Sequence, residues 1–192
     1  MRSISLNLNP VFTLTREKFY QLCRSNPDVR LERSADAVLH IVLPLGGEMS
    51  NWSSELGTDL GLWNRQTRQG KTFDSSGGFA LPNGADRSPD LAWIPLEKWE
   101  ALTPEQRQGF LPLCPDFVVE LLSPSDSWKQ GTLKMEEYMT NGCRLGWLID
   151  PKGKRVGIYR SGQALEILDN PATLSGEDVL TGFILDLRVL WT

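Results

Sequence analysis

The chain lacks the raw material for several kinds of chemistry. Its 192 residues contain one histidine, His40, which excludes any mechanism that needs two. There are three cysteines, Cys23, Cys114 and Cys143, far apart and without a CxxC pair. A dispersed, odd set of thiols predicts neither a zinc cage nor a disulfide framework, and points to a reducing, cytoplasmic setting. No apolar run approaches the ~20 residues of a membrane helix, and no signal-peptide pattern opens the sequence. There is no excess of positive charge: 24 acids face 20 bases, for a net charge of −4. Bulk electrostatics therefore do not make this a nucleic-acid coat, and any such contact must use a local patch. Internal repeats and low-complexity segments are also missing.

What is present is a globular composition, 40% hydrophobic and 23% charged, in one regime throughout. A single domain is expected at this length, with residues 1–13 as a loose N-terminal arm. Phe19, Leu22 and Cys23 recur at helical spacing after Thr15, a natural N-cap. Strands are expected at 29–33 and 38–43. Trp52, Leu56, Leu60 and Trp63 give a helix over 48–69, and 71–74 with 78–81 read as a hairpin. Further strands are expected at 89–94, 116–122, 145–149, 155–160 and 165–168, with a last one near 183–187. Short helices are expected at 97–102 and from Thr103-Pro104, and a longer one runs from a capping Asp126 to Asn141. The order is that of a mixed α/β domain, helices flanking a central mixed sheet.

Two carboxylates break the pattern. In Phe117-Val118-Val119-Glu120-Leu121-Leu122 both strand faces are apolar, as in a central strand covered on both sides, except at Glu120. An uncompensated buried carboxylate costs several kcal/mol, on the order of its desolvation penalty, so a base or a metal must face it. Asp90 repeats the anomaly on a face shared with Ala92 and Ile94. If the two strands are neighbours, the acids converge and offer hard oxygens to Mg²⁺ or Mn²⁺. Converging acids repel, so one of their pKa values should rise. The competing reading of either acid is an ordinary salt bridge. Asp116 is a decoy: four residues of strand, ~13 Å, separate it from Glu120, too far to share one ion. Lys129 and Lys134 lie on the following helix, and Lys134 shares a face with Tyr138, four residues on.

Other motifs carry nothing. Gly70-Lys71-Thr72 resembles the end of a phosphate-binding loop, but Arg65 stands where its first glycine belongs and a helix precedes it. Ser123 and Ser125 lack a histidine partner. Trp52 and Trp63 suggest dimer contacts, and a homodimer is expected from seven tryptophans in so small a chain.

Ser88-Pro89-Asp90, Val118-Val119-Glu120-x-x-Ser123-Pro124-Ser125, Lys134-x-x-x-Tyr138-x-x-x-Gly142 and Gly146-Trp147-Leu148-Ile149-Asp150-Pro151 together resemble the Uma-type family of restriction-endonuclease-like proteins. That family is assigned to the PD-(D/E)XK nuclease superfamily. The resemblance implies a restriction-endonuclease-like core and a Mg²⁺- or Mn²⁺-dependent nuclease acting on DNA, with Asp90 and Glu120 as metal-binding acids. It departs from the superfamily at Leu122, where a lysine is expected. In the Uma-type family a lysine on the next helix substitutes, and Lys134 matches it. Glu48 or Glu32 would match an extra acid that some superfamily members carry. Arg65, Arg68 and Lys71, or Lys152, Lys154 and Arg155, are candidate DNA contacts. Two other readings remain: a nuclease-fold module that binds nucleic acid or a partner protein without cutting, and a metal-free glycoside hydrolase using the acid pair.

Overall fold

The computed structural model describes residues 3–191. In chain order the elements are β1 (Ser3–Leu6), α1 (Arg16–Ser25), β2 (Leu31–Arg33), β3 (Leu39–Val42), α2 (Gly47–Thr67), β4 (Gly70–Asp74), β5 (Phe79–Ala80), β6 (Asp86–Arg87), β7 (Leu91–Pro95), α3 (Leu96–Glu100), α4 (Pro104–Arg107), β8 (Phe117–Leu121), α5 (Trp128–Thr140), β9 (Leu145–Asp150), β10 (Arg155–Arg160), β11 (Glu166–Asp169), β12 (Thr173–Ser175) and β13 (Ile184–Asp186). They form a six-stranded sheet in the order β11-β10-β9-β8-β7-β4, a five-stranded sheet β1-β3-β2-β6-β5, and the pair β12-β13. β8 and β9 run parallel with α5 as the crossover, and the other pairings in the large sheet are antiparallel. This is the expected mixed α/β arrangement.

Strand alternation decides where the layers go. Phe117, Val119 and Leu121 of β8 pack with Leu91 and Trp93 under Met49, Leu56, Leu60 and Trp63 of α2. Val118 and Leu122 pack with Ala92, Ile94, Met135 and Tyr138 on the opposite face, under α5. The large sheet is therefore covered on both sides, which is why β8 is buried at all five positions. The small sheet gives Leu31 and Leu39 to α1 and its Phe19. Its other face carries Glu32 and His40, which are register partners.

Several expectations are corrected. Residues 3–6 of the arm form β1, paired with β3, while residues 1–2 lie outside the described residues. Segments 71–74 and 78–81 are not a hairpin with each other. β4 pairs with β7, and β5 pairs with β6 in the other sheet. The reason is that segment 78–80 zips onto Leu111: Leu111 N–H donates to the Gly78 carbonyl and Ala80 N–H to the Leu111 carbonyl. The Phe110 ring occupies the place of a Gly78 side chain, its nearest carbon 2.5 Å from where a Cβ would sit. Ser127, rather than Asp126, caps α5 by accepting from Gln130 N–H, and Asp126 accepts from Ser123 N–H to close the preceding turn. Trp63 is inside the core against Trp93 and Phe183, and none of the seven tryptophans is exposed. Trp52, the other tryptophan singled out as a dimer contact, is half-buried and packs against the same core. No helix among the described residues is long and apolar enough to cross a membrane.

Candidate active site

The site is assembled where β7, β8, α5 and β2 meet. Leu91 pairs with Val119, so the next step of the antiparallel register sets Asp90 opposite Glu120. Both are nearly inaccessible, 5% and 3% exposed. Asp90 Oδ2 accepts Leu121 N–H at 2.8 Å, while its buried Oδ1 has no hydrogen bond. Arg30 comes no nearer to that oxygen than 4.0 Å and instead gives an N–H to the Ser88 carbonyl. The salt-bridge reading of Asp90 thus leaves one buried oxygen unsatisfied.

Glu120 is compensated by α5. Tyr138 O–H donates to Glu120 Oε1 at 3.0 Å, and Lys134 Nζ lies 2.9 Å from the same oxygen. The helix comes this close because Gly131 has no side chain: a Cβ there would lie 2.7 Å from Leu148 and 3.0 Å from Leu122. Leu122 shares the strand face of Glu120 and fills the space under the helix. The lysine then reaches Glu120 from above the strand.

Lys134 Nζ also lies 3.1 Å from Glu32 Oε1. Glu32 comes from β2, in the other sheet, and is 4% exposed. It accepts Ser88 N–H, and its second oxygen meets Arg87 at 3.4 Å. Arg87 in turn bonds Glu137 at 2.6 Å. Glu48 is exposed in the first turn of α2, and no contact joins it to this group. Of the two candidate extra acids, the fold brings Glu32 to the site. Lys129 is exposed on α5, and Asp116 pairs with Lys98 at 2.7 Å, at the far end of β8.

Burial sets the electrostatics, and the partners then decide the sign. Burial raises the Glu120 carboxyl to about 7, with the Asp90 and Glu32 charges adding to it and Lys134 opposing. Burial acts the same way on Glu32, but Lys134, Arg87 and Arg30 outweigh it and hold that carboxyl down at about 2. Burial disfavours the Lys134 ammonium, yet Glu120 and Glu32 keep its pKa above the ordinary lysine value. The Tyr138 phenol is pushed well up by burial and then by the carboxylates, so it stays a donor.

Glu120, Glu32 and Lys134 open on a cleft of about 720 Å³ between the small sheet and α5, which His40 and Arg87 also line. Asp90 opens on a second groove of about 710 Å³ between α2 and β4, which Arg65 lines. Each of the two acids thus borders a different cavity. Among the described residues no three or more His, Cys, Asp or Glu side chains are grouped to hold a metal. The donor set on offer is carboxylate oxygen, including the orphaned Asp90 Oδ1. That suits a hard cation which keeps several waters, such as Mg²⁺. Of the expected DNA contacts, Arg155 pairs with Asp150 and lies over the Trp128 ring, and Lys154 donates to the Trp191 carbonyl.

Sequence reasoning missed Arg87 and gave His40 no place at the site. His40 sits on the cleft wall with its Nδ1 3.0 Å from Ser5 Oγ. The adjacency of Arg87 to Ser88-Pro89-Asp90 was a usable signal. The position of His40 depends on sheet pairing and had none.

Comparison with known proteins supports the same fold. A family model described as "Uma2: Putative restriction endonuclease" matches residues 16–188. No curated protein matches. A solved structure from Anabaena variabilis, described as "a putative nuclease belonging to DUF820", is similar with a TM-score of 0.75 and 23% sequence identity, covering 94% of this chain and 97% of that one. At that identity the likeness shows the fold. With nearly its whole length matched by the family model, the chain belongs to the Uma2 family, described as "Putative restriction endonuclease".

Proposed function

We propose that this protein is a divalent-metal-dependent nuclease that hydrolyses DNA phosphodiester bonds, with Asp90 and Glu120 as metal ligands and Lys134 as the cationic group beside them. The observation that carries this reading is the 2.9 Å approach of Lys134 Nζ to Glu120, with Asp90 in register across from it. It answers the departure at Leu122, because the helix supplies the charge that the strand lacks. Asp90 and Glu120 would hold Mg²⁺ or Mn²⁺, which would polarise a phosphoryl oxygen and acidify water there.

The chain's own groups do the rest. Lys134, kept charged by two carboxylates, presents a fixed cation to the negative charge that develops on the phosphoryl group. Held above the ordinary lysine value, it is a poor proton acceptor at neutral pH and acts as an electrostatic and water-orienting group. Tyr138 fixes Glu120 through Oε1. DNA is the proposed partner. A homodimer rests only on the duplex having two strands to cut, and the free thiols suit a cytoplasmic setting.

The test is cleavage of supercoiled plasmid with Mg²⁺, with Mn²⁺ and with EDTA. Metal-dependent nicking that is lost in Asp90→Ala and Glu120→Ala supports the reading. Plasmid binding without nicking in any metal would favour the non-cutting module, and EDTA-insensitive hydrolysis of glycosides would favour the acid-pair hydrolase.

A further inference from the structure

We infer that Glu32 is a positioning residue that holds Lys134 over Glu120, rather than a third metal-binding acid. This rests on the proposed nuclease site. Glu32 is the one carboxylate of the group that comes from the five-stranded sheet. Each of its oxygens has work that leaves little for an ion. Oε1 takes Lys134 at 3.1 Å and Ser88 N–H at 3.1 Å, and Oε2 faces Arg87 at 3.4 Å. Asp90 Oδ1, by contrast, is buried with no hydrogen bond at all.

The contacts form a chain. Glu137 holds Arg87, Arg87 and Ser88 N–H hold Glu32, and Glu32 holds Lys134. Ser88 lies two residues before Asp90, so Glu32 also ties down the segment that delivers the acid. Lys134 has four rotatable carbons in its stem, and a single carboxylate does not fix such an ammonium. Two carboxylates from different sheets do. Partners of this kind, one step removed from the reacting atoms, typically change activity by roughly 10–100-fold.

The experiment uses the full chain, labelled with ¹⁵N-lysine, in wild type, Glu32→Gln, Glu32→Asp and Asp90→Ala. Three readouts are taken: the Lys134 ammonium signal by NMR, Mn²⁺ affinity by calorimetry, and kcat with KM for plasmid nicking. The expected result is an ordered Lys134 ammonium signal in wild type that is lost in Glu32→Gln. Mn²⁺ affinity stays within about twofold, and kcat falls roughly 10–100-fold with little change in KM. Glu32→Asp keeps the charge and the fold while withdrawing the carboxylate by one methylene, and shows the same loss of signal and kcat. Mn²⁺ affinity falling in Glu32→Gln as far as in Asp90→Ala would overturn the assignment, and so would an unchanged Lys134 signal in both Glu32 variants. An ordered Lys134 signal that depends on Glu32, in a wild-type protein that binds no Mn²⁺, would overturn the metal-nuclease reading and leave the positioning assignment standing.

Discussion

Gly131 on α5 packs against Leu148 on β9 with no room for a methyl group between them, a Cβ falling 2.7 Å from Leu148 Cδ1. One helical turn further on, Lys134 and then Tyr138 reach Glu120 because of that approach. A missing side chain thus sets the distance between the cation and the acid.

Gly131→Val is therefore expected to lower stability by on the order of 2 kcal/mol, through overpacking against buried Leu148 and Leu122. It is also expected to reduce cleavage more than stability alone explains, because α5 must move outward. Chemical denaturation with parallel nicking assays checks this. Full activity in a destabilised variant would separate helix placement from the site.

Lys134→Ala is expected to lose roughly 10²–10³-fold in kcat, the usual scale for removing one preorganised charge stabiliser. Lys129→Ala, on the exposed face of the same helix, should stay within about twofold of wild type. Nicking rates at saturating Mg²⁺ decide it, and equal small losses would leave Lys134 a structural ion-pair partner of Glu120 and Glu32 with no part in cleavage.

The pH dependence of stability carries two opposite signs. The Glu120 carboxyl is raised in the fold to about 7, so its contribution is fully present below the ordinary carboxylate range and is lost as pH rises through about 7. The Glu32 carboxyl is held down at about 2, so its contribution is present above the ordinary range and is lost as pH falls toward 2. In EDTA, Glu120→Gln should melt progressively higher than wild type as pH goes from 5 to 8. Glu32→Gln should be at its greatest disadvantage near neutrality and lose that disadvantage in acid. Melting curves across pH check both, and a Glu120→Gln advantage that shrinks toward pH 8 would contradict the first.

Asp86 is buried more completely than either site acid, yet its role is structural. It receives Arg33 Nε at 2.8 Å, Arg16 Nε at 3.0 Å and the Tyr20 hydroxyl at 3.2 Å. Asp86→Asn strands the buried Arg33 charge and should cost about 3–5 kcal/mol. Asp90→Asn gives up no close ion pair and should cost much less. Denaturant midpoints of the two variants compare them directly.

The sheet core was legible because alternation is local. Both faces of β8 and the intrusion of Glu120 follow from six consecutive residues, and the face of Asp90 follows from five. Lys134 was readable from its spacing to Tyr138 together with the family resemblance. The choice between Glu32 and Glu48 was not readable, since Glu32 meets Lys134 across 102 positions of sequence. That meeting depends on how a three-residue strand pairs. Arg87 stood beside Ser88-Pro89-Asp90, but its partners were not readable: β6 has two residues and exists only by pairing with β2 and β5. The false hairpin at 71–81 came from assuming that neighbouring strands pair, where Leu111 had captured the second one.

The most direct test of the central claim is the anomalous-scattering map of crystals soaked in Mn²⁺. One strong peak is expected at ~2.1–2.2 Å from an oxygen of Asp90 and an oxygen of Glu120. Lys134 Nζ should remain beside Glu120, and Glu32 should lie outside the coordination sphere. A peak held by other residues, or no peak at a Mn²⁺ concentration that supports cleavage, would contradict it.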